Sequence, residues 1–177
     1  MIFKETRLQG AYVIEPELSH DGRGFFTRTW CAREFKEHGL DVRLLQCNIS
    51  FNSKQGTWRG MHYQAAPYAQ AKLVRCTRGA IFDVIVDLRP SSSTFREHVA
   101  VQLTADNRSM LYVPIDFGHG FITLEDHTEV FYQMSEFYNA ESARGFRWND
   151  PAFSIKLPID IAVCAERDRT YPDFKFP

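Results

Sequence analysis

Short runs rich in β-branched, aromatic and aliphatic residues recur about every ten residues along the chain, at 8–14, 25–30, 42–48, 57–63, 72–77, 80–88, 98–103, 110–113, 118–124 and 129–135. That spacing fits strands joined by tight turns. Turn formers fall between the runs: Asp21-Gly22, Arg78-Gly79, Arg89-Pro90 followed by three serines, and Asp106-Asn107 supply left-handed tolerance or a fixed φ. Only residues 32–38 read as a helix, and they stop at Gly39, where a left-handed C-cap is expected. Many short strands without long intervening helices argue against a parallel α/β sheet and predict an all-β fold, a jelly-roll β-barrel with short peripheral helices. A chain of 177 residues buries roughly two thirds of its unfolded surface, so it needs no disulfide or metal staple and is expected to form one domain over 1–177.

Within 80–88, Phe82, Val84, Val86 and Leu88 alternate with Ile81, Asp83, Ile85 and Asp87. Either Asp83 faces the barrel interior, where a carboxylate needs a cation or donors, or its face is the solvent side of an edge strand. Lys plus Arg number 21 and Asp plus Glu 22, a formal charge of −1, which gives no global case for nucleic acid or an anionic membrane. An anionic ligand must therefore meet a local basic patch. The longest apolar stretches fall far short of the ~20 residues of a membrane helix. Residues 1–9 carry Lys4, Glu5 and Arg7 without an apolar core, against a secretory signal. Cys31, Cys47, Cys76 and Cys164 form no CxxC pair and read as small hydrophobes in a reducing compartment, so a cytoplasmic location is expected.

Two polar clusters stand out: GTWRGMHYQAAPYAQAK at 56–72 and YVPIDFGHGF at 112–121. Together they resemble the two half-motifs of the cupin superfamily, small jelly-roll barrels with a ligand in the mouth. Gly56 precedes His62 as the cupin glycine precedes its first histidine, and Pro114, Asp116 and His119 fall where the second motif has Pro, Gly and His. A cupin metal site takes three His and one Glu. Here only His62 and His119 remain, with Gln64 and Gln70 near the missing positions, and neutral amides are poor ligands for a divalent transition metal. No metal is expected. That leaves His62 free for acid–base work near neutrality, best when a carboxylate orients its far nitrogen. His119 is equally open to a structural role. Arg59, Lys72 and Arg75 add a positive cluster suited to a phosphate-bearing ligand.

The strings RGFF, QCNIS, RGMHYQ, AQAKLVRC, GAIFDVIVDLR, FGHGF, EVFYQMSEFY and RWNDP run in order across nearly the whole chain. In these the chain resembles the dTDP-4-dehydrorhamnose 3,5-epimerase family of nucleotide-sugar epimerases. The resemblance implies a cofactor-free, metal-free homodimer that inverts a nucleoside-diphosphate 4-keto-6-deoxy sugar at one or both carbons flanking the ketone. It implies that His62 is the base, oriented by Asp168 in AERDRTYP; that Lys72 meets the developing oxyanion; that Tyr132 donates a proton from the opposite side; and that Asp83 neighbours the lysine and a histidine. Without it, Tyr132 would read as a core tyrosine sharing a face with Val130 and Met134. Arg23, Phe26, Gln46, Asn48, Arg59, His119 and Tyr138 match positions that hold sugar, diphosphate or base. Arg28 joins them where the family commonly has Glu, Ala143 stands where another Glu is common, and Cys47 replaces a frequent Asp. These departures leave the base and the sugar unassigned.

Three structural expectations follow. Arg23, Arg28, Arg59 and Lys72 converge on one barrel mouth. A bulge or strong twist at Gly60 brings Arg59 and His62 to one face despite their odd separation. Residues 1–14 add a strand to a partner's sheet. The competing readings are a metal-dependent cupin enzyme and a sugar-binding jelly roll that has lost catalysis. Metal analysis of the purified protein is expected to find no stoichiometric iron, zinc or manganese; a stoichiometric ion released by His62→Ala would establish the metal-dependent reading instead.

Overall fold

The structure, a computed structural model, describes residues 1–175. It begins with β1 (Ile2–Glu5), β2 (Tyr12–Glu15), β3 (Ser19–Asp21), β4 (Gly24–Phe26), α1 (Ala32–Glu37), β5 (Gln46–Asn52), β6 (Thr57–Gln64) and β7 (Lys72–Arg78). It continues with β8 (Ala80–Asp87), β9 (His98–Thr104), β10 (Met110–Val113), β11 (Phe117–Thr123), β12 (Thr128–Met134), β13 (Ala143–Gly145), β14 (Val163–Cys164) and α2 (Glu166–Thr170). One sheet has the order β1-β2-β10-β7-β12-β5 and the other β13-β6-β11-β8-β9, with β14 added in parallel to β6; β3 and β4 form a separate hairpin. From β5 to β8 and from β10 to β12 the chain changes sheet at every step, the crossing pattern of a jelly roll.

Three apolar layers follow. Val74, Cys76 and Val130 of the first sheet interleave with Ile81, Ile85 and Phe121 of the second to fill the barrel. The outer face of the second sheet, with Trp58, Val84, Val86 and Ile122, lies under Phe146 and Phe153 of the C-terminal segment. The outer face of the first, with Leu73, Met110 and Tyr112, lies under Phe35 of α1. Strand β8 is thus buried on both faces, which explains its near-continuous apolar run, and Asp83 and Asp87 are both fully buried. The solvent-face alternative for Asp83 is excluded. Asp87 survives burial because Arg89, Ser92 and Thr94 donate to it. Burial pushes its carboxyl up, but these donors win and hold it at about 2.

Every predicted run contains strand residues, with three trimmed. In 8–14 the strand starts only at Tyr12, in 42–48 only at Gln46, and in 25–30 it ends at Phe26, because the chain turns into α1. The predicted helix is α1, and Gly39 closes it at φ +70°. β1, β3, β13, β14 and α2 carry no comparable signal, being five residues or fewer. β1 pairs with β2 of its own chain and forms the edge of that sheet.

The expected irregularity in β6 is present. His62 pairs with His119 and Arg59 with Phe121, so Gly60 and Met61 together oppose Gly120 alone, a β-bulge. The bulge turns Met61 into the outer layer and leaves both Arg59 and His62 facing the barrel cavity. Gly60 sits at φ +141°, and a Cβ there would lie 2.5 Å from Gly120 Cα. On Gly120 it would lie 2.9 Å from Arg59 O and Met61 Sδ. The two backbones touch because neither residue has a side chain. Gly120→Ala is expected to lower stability by about 1–3 kcal/mol in urea titration and to depress activity. Gly22→Ala, where a Cβ meets nothing within 4 Å, should do neither.

Candidate active site

His62 projects from β6 into a cavity of about 530 Å³ lined also by Arg59, Lys72, His119, Tyr132 and Asp168. Asp168 comes from α2, brought back by β14, which pairs Val163 with Thr57 and Cys164 with Trp58 on the strand that carries His62. Its Oδ1 lies 2.7 Å from His62 Nε2, across 106 positions of sequence, and Gly60 N–H donates to its Oδ2 at 3.3 Å. Burial pushes the Asp168 carboxyl up, but the hydrogen bond and charge of His62, the Gly60 N–H and the Arg167 charge hold it below the usual carboxylate range. An ionised carboxylate only accepts, so Nε2 carries the proton and Nδ1 is the basic nitrogen. Burial pushes the His62 pKa down, and Asp168 opposes that shift.

Lys72 opens β7 on the facing sheet, with Nζ 3.4 Å from the His62 carbonyl. Desolvation lowers its pKa to about 8, against the attraction of Asp83. Asp83 is fully buried. Its Oδ1 lies 2.6 Å from His119 Nε2, and its Oδ2 has no hydrogen-bond partner among the described residues. Tyr132 on β12 faces the cavity from the first sheet, opposite His62 on the second. Arg59 is steadied by Asn52, whose Oδ1 accepts from Nε at 2.7 Å.

A second cavity of about 340 Å³ shares His62, Lys72 and Tyr132 and extends past Gln46, Asn48 and Tyr138. No carboxylate lines it. Gln46 Oε1 accepts from the Tyr138 N–H at 3.0 Å, fixing the backbone that presents that ring. Gln64 binds the Tyr68 and Phe137 carbonyls through Nε2 and accepts from Asn139 N–H, so it braces loops. Among the described residues no group of three His, Cys, Asp or Glu is placed to hold a metal ion.

Of the expected site residues, His62, Lys72, Asp168, Tyr132, Arg59, His119, Gln46, Asn48 and Tyr138 line these two cavities, with Asp83 directly behind His119. Arg23, Phe26 and Arg28 do not. They belong to the β3–β4 hairpin and the segment after it; Phe26 is 78% exposed, Arg23 pairs with Asp21 and Arg28 with Glu34. The expected convergence of four cations on one mouth therefore fails within a single chain, because the hairpin is not joined to either barrel sheet. Arg75 also leaves the cluster: three places after Lys72 on β7, it lies on the outer face over the Phe131 ring at 4.9 Å. Two cations were missed, Arg144, which lines the second cavity, and Arg167. Arg167 lines both cavities, and its place beside Asp168 in the chain was the available signal.

A jelly-roll barrel whose cavity joins a histidine–carboxylate pair, a desolvated lysine and a tyrosine defines a cupin-fold enzyme of acid–base chemistry. Within that class the chain belongs to the dTDP-4-dehydrorhamnose 3,5-epimerase family, whose model matches residues 5–175. A dTDP-4-dehydrorhamnose 3,5-epimerase of Methanothermobacter thermautotrophicus is 42% identical over 172 residues, 96% of this chain and 92% of that one. The crystal structure of the enzyme of that name from Elizabethkingia anophelis superimposes with a TM-score of 0.95 at 39% identity, covering 98% of this chain and 96% of that one. The one from Bacillus anthracis, with TDP and PPi bound, gives 0.94 at 40% identity over 98% and 99%.

Proposed function

We propose that this chain is a dTDP-4-dehydrorhamnose 3,5-epimerase, inverting C3 and C5 of a dTDP-4-keto-6-deoxyhexose in deoxysugar biosynthesis. The observation that carries the reading is the His62–Asp168 pair on one wall of the cavity, with Lys72 and Tyr132 both lining it from the facing sheet. A ketone acidifies the C–H bonds on both neighbouring carbons. His62 Nδ1 takes one of these protons and becomes imidazolium, which Asp168 stabilises; the electron pair moves to the ketone oxygen, where the Lys72 cation meets the enolate. Tyr132 delivers a proton to the opposite face of the same carbon, and proton exchange with solvent resets both groups. The sequence repeats at the second carbon. No electron leaves the substrate, so the chemistry balances without a redox partner.

The second cavity suits the nucleoside diphosphate: amides, Arg144 and Arg167 line it and no carboxylate repels phosphate. The hairpin residues fit the same reading if the protein is a homodimer. Arg23 and Phe26 stand clear of their own barrel, and Ile49 and Phe51 on the outer face of β5 are more than half exposed, an apolar face for a second copy. In that assembly the hairpin of one chain completes the cavity of its partner. A cytoplasmic setting fits four cysteines that are all unpaired.

In deuterium oxide the protein is expected to place deuterium at C3 and C5 of dTDP-4-keto-6-deoxyglucose, read by NMR, and His62→Ala to abolish this. Tyr132→Phe should still exchange while blocking inversion; full epimerisation by that variant would remove Tyr132 from its role. Absence of exchange with dTDP-, CDP- and GDP-linked substrates would leave a binding module. The Lys72 cation is present below about pH 8 and lost above it, so kcat/KM should fall on the alkaline side with a midpoint there. Lys72→Met should remove that limb and lower kcat roughly 10²-fold or more. Mixing Phe26→Ala with His62→Ala chains should raise activity above that of either variant alone, since one of the two hybrid sites is intact; no recovery after verified exchange of chains would contradict the shared cavity.

A further inference from the structure

Arg167 stands on the rim common to both cavities, and the mechanism above gives it no part in proton transfer. Its Nη2 lies 3.4 Å from His62 Nε2 and its Nε 3.5 Å from Asp168 Oδ1, so one guanidinium spans both members of the dyad. The His62 contact is one of charge: Nε2 already donates its proton to Asp168, and a guanidinium has no acceptor to offer. We propose that Arg167 is a positioning residue that holds the ligand-free dyad in its reactive charge state, Asp168 ionised and His62 neutral. This rests on the reading of His62 as the base.

A carboxylate alone beside an imidazole favours the imidazolium, which cannot abstract a proton. The charged and titratable groups facing His62 are Asp168 and Arg167 from α2, Lys72 from β7, Tyr132 from β12, His119 from β11, which is its register partner and bonds Asp83, Arg59 from its own strand, and Tyr171, whose ring centroid is 6.4 Å away. Burial is the largest influence keeping His62 deprotonated; Asp168 works against it, and the Lys72 and Arg167 charges work with it. The same Arg167 charge helps keep Asp168 ionised. Lys72 loses its proton near 8, whereas arginine side chains keep theirs throughout the working range. Arg167 is thus the partner of the dyad whose influence does not fade with pH. Its side chain is 64% exposed, so replacing it opens no core.

The test is a ¹⁵N NMR titration of the His62 imidazole in the ligand-free protein, with pH profiles of kcat/KM beside it. In Arg167→Gln the His62 midpoint should move to higher pH, and Arg167→Lys should keep it near the wild-type value. The acid limb of kcat/KM should move with it, so that the ratio of Arg167→Gln to wild type is about three- to tenfold lower at pH 6 than at pH 8, whatever pH-independent loss the variant also shows. A midpoint unchanged in Arg167→Gln overturns the proposal, and a pH-independent rise in KM with that unmoved midpoint would make Arg167 a ligand contact only. A midpoint that shifts as expected in a protein that turns over none of the sugar nucleotides would uphold this inference and count against the epimerase reading.

Discussion

Gly60 pressed against Gly120 is the contact on which the site depends. In a regular strand Arg59 and His62 would face opposite sides, and one of them would be lost to the outer layer. The extra residue at the bulge turns Met61 outward instead, and it frees backbone groups that the ladder would have used. Each finds a partner that builds the site. Gly60 N–H goes to Asp168, and the Trp58 indole takes the Gly60 carbonyl at 2.8 Å. Met61 exchanges both backbone hydrogen bonds with Phe146. One irregularity in β6 therefore collects the C-terminal segment in two places, at Phe146 in the outer layer and at Asp168 beside the base.

What could be read from the chain follows from which interactions are local. Strands β6 to β12 announced themselves because alternation and turn chemistry act over a few residues, and Gly39 marked the end of α1 for the same reason. β13 and β14 are two or three residues long and exist only because β6 offers them an edge, so no local pattern could have found them. The His62–Asp168 pair was reachable only through the family resemblance, since nothing local relates positions so far apart. Alternation did carry the information that misplaced Arg75: an odd step from Lys72 puts it on the other face. The hairpin cations were misjudged for a different reason. They stand on and just after a hairpin that joins neither barrel sheet, and no local pattern says where such a hairpin lies relative to the cavity.

The two histidine–carboxylate pairs are chemically alike and differently placed. In the first pair His62 borders both cavities, Asp168 lines the first of them, and a ring nitrogen stays free, whereas His119–Asp83 is sunk in the barrel with Asp83 wholly out of water. The unpartnered Oδ2 of Asp83 is a costly group to bury. Its field acts on Lys72, whose ammonium desolvation alone would drive lower still. A fully satisfied Asp83 would make a more stable barrel and a weaker counterweight. The structure keeps the imperfect carboxylate and with it a lysine charged at neutral pH in a place that disfavours charge.

Charge also limits what a second chain can add. Around the two cavities Arg59, Lys72, Arg144 and Arg167 stand against Asp83 and Asp168, four cations to two anions, a local excess of two in a chain whose formal charge is −1. A nucleoside diphosphate sugar brings about two negative charges, which that excess matches. The β3–β4 hairpin and the segment after it would add little net charge, because Arg23 is paired with Asp21 and Arg28 with Glu34. What it carries unpaired is the Phe26 ring. An exposed aromatic face stacks on a nucleobase of any identity for about 1–3 kcal/mol, and it does so whether the neighbouring rim residue is Glu or Arg. The hairpin's unpaired surface is thus apolar, while the cations placed to face phosphate line the barrel's own cavities.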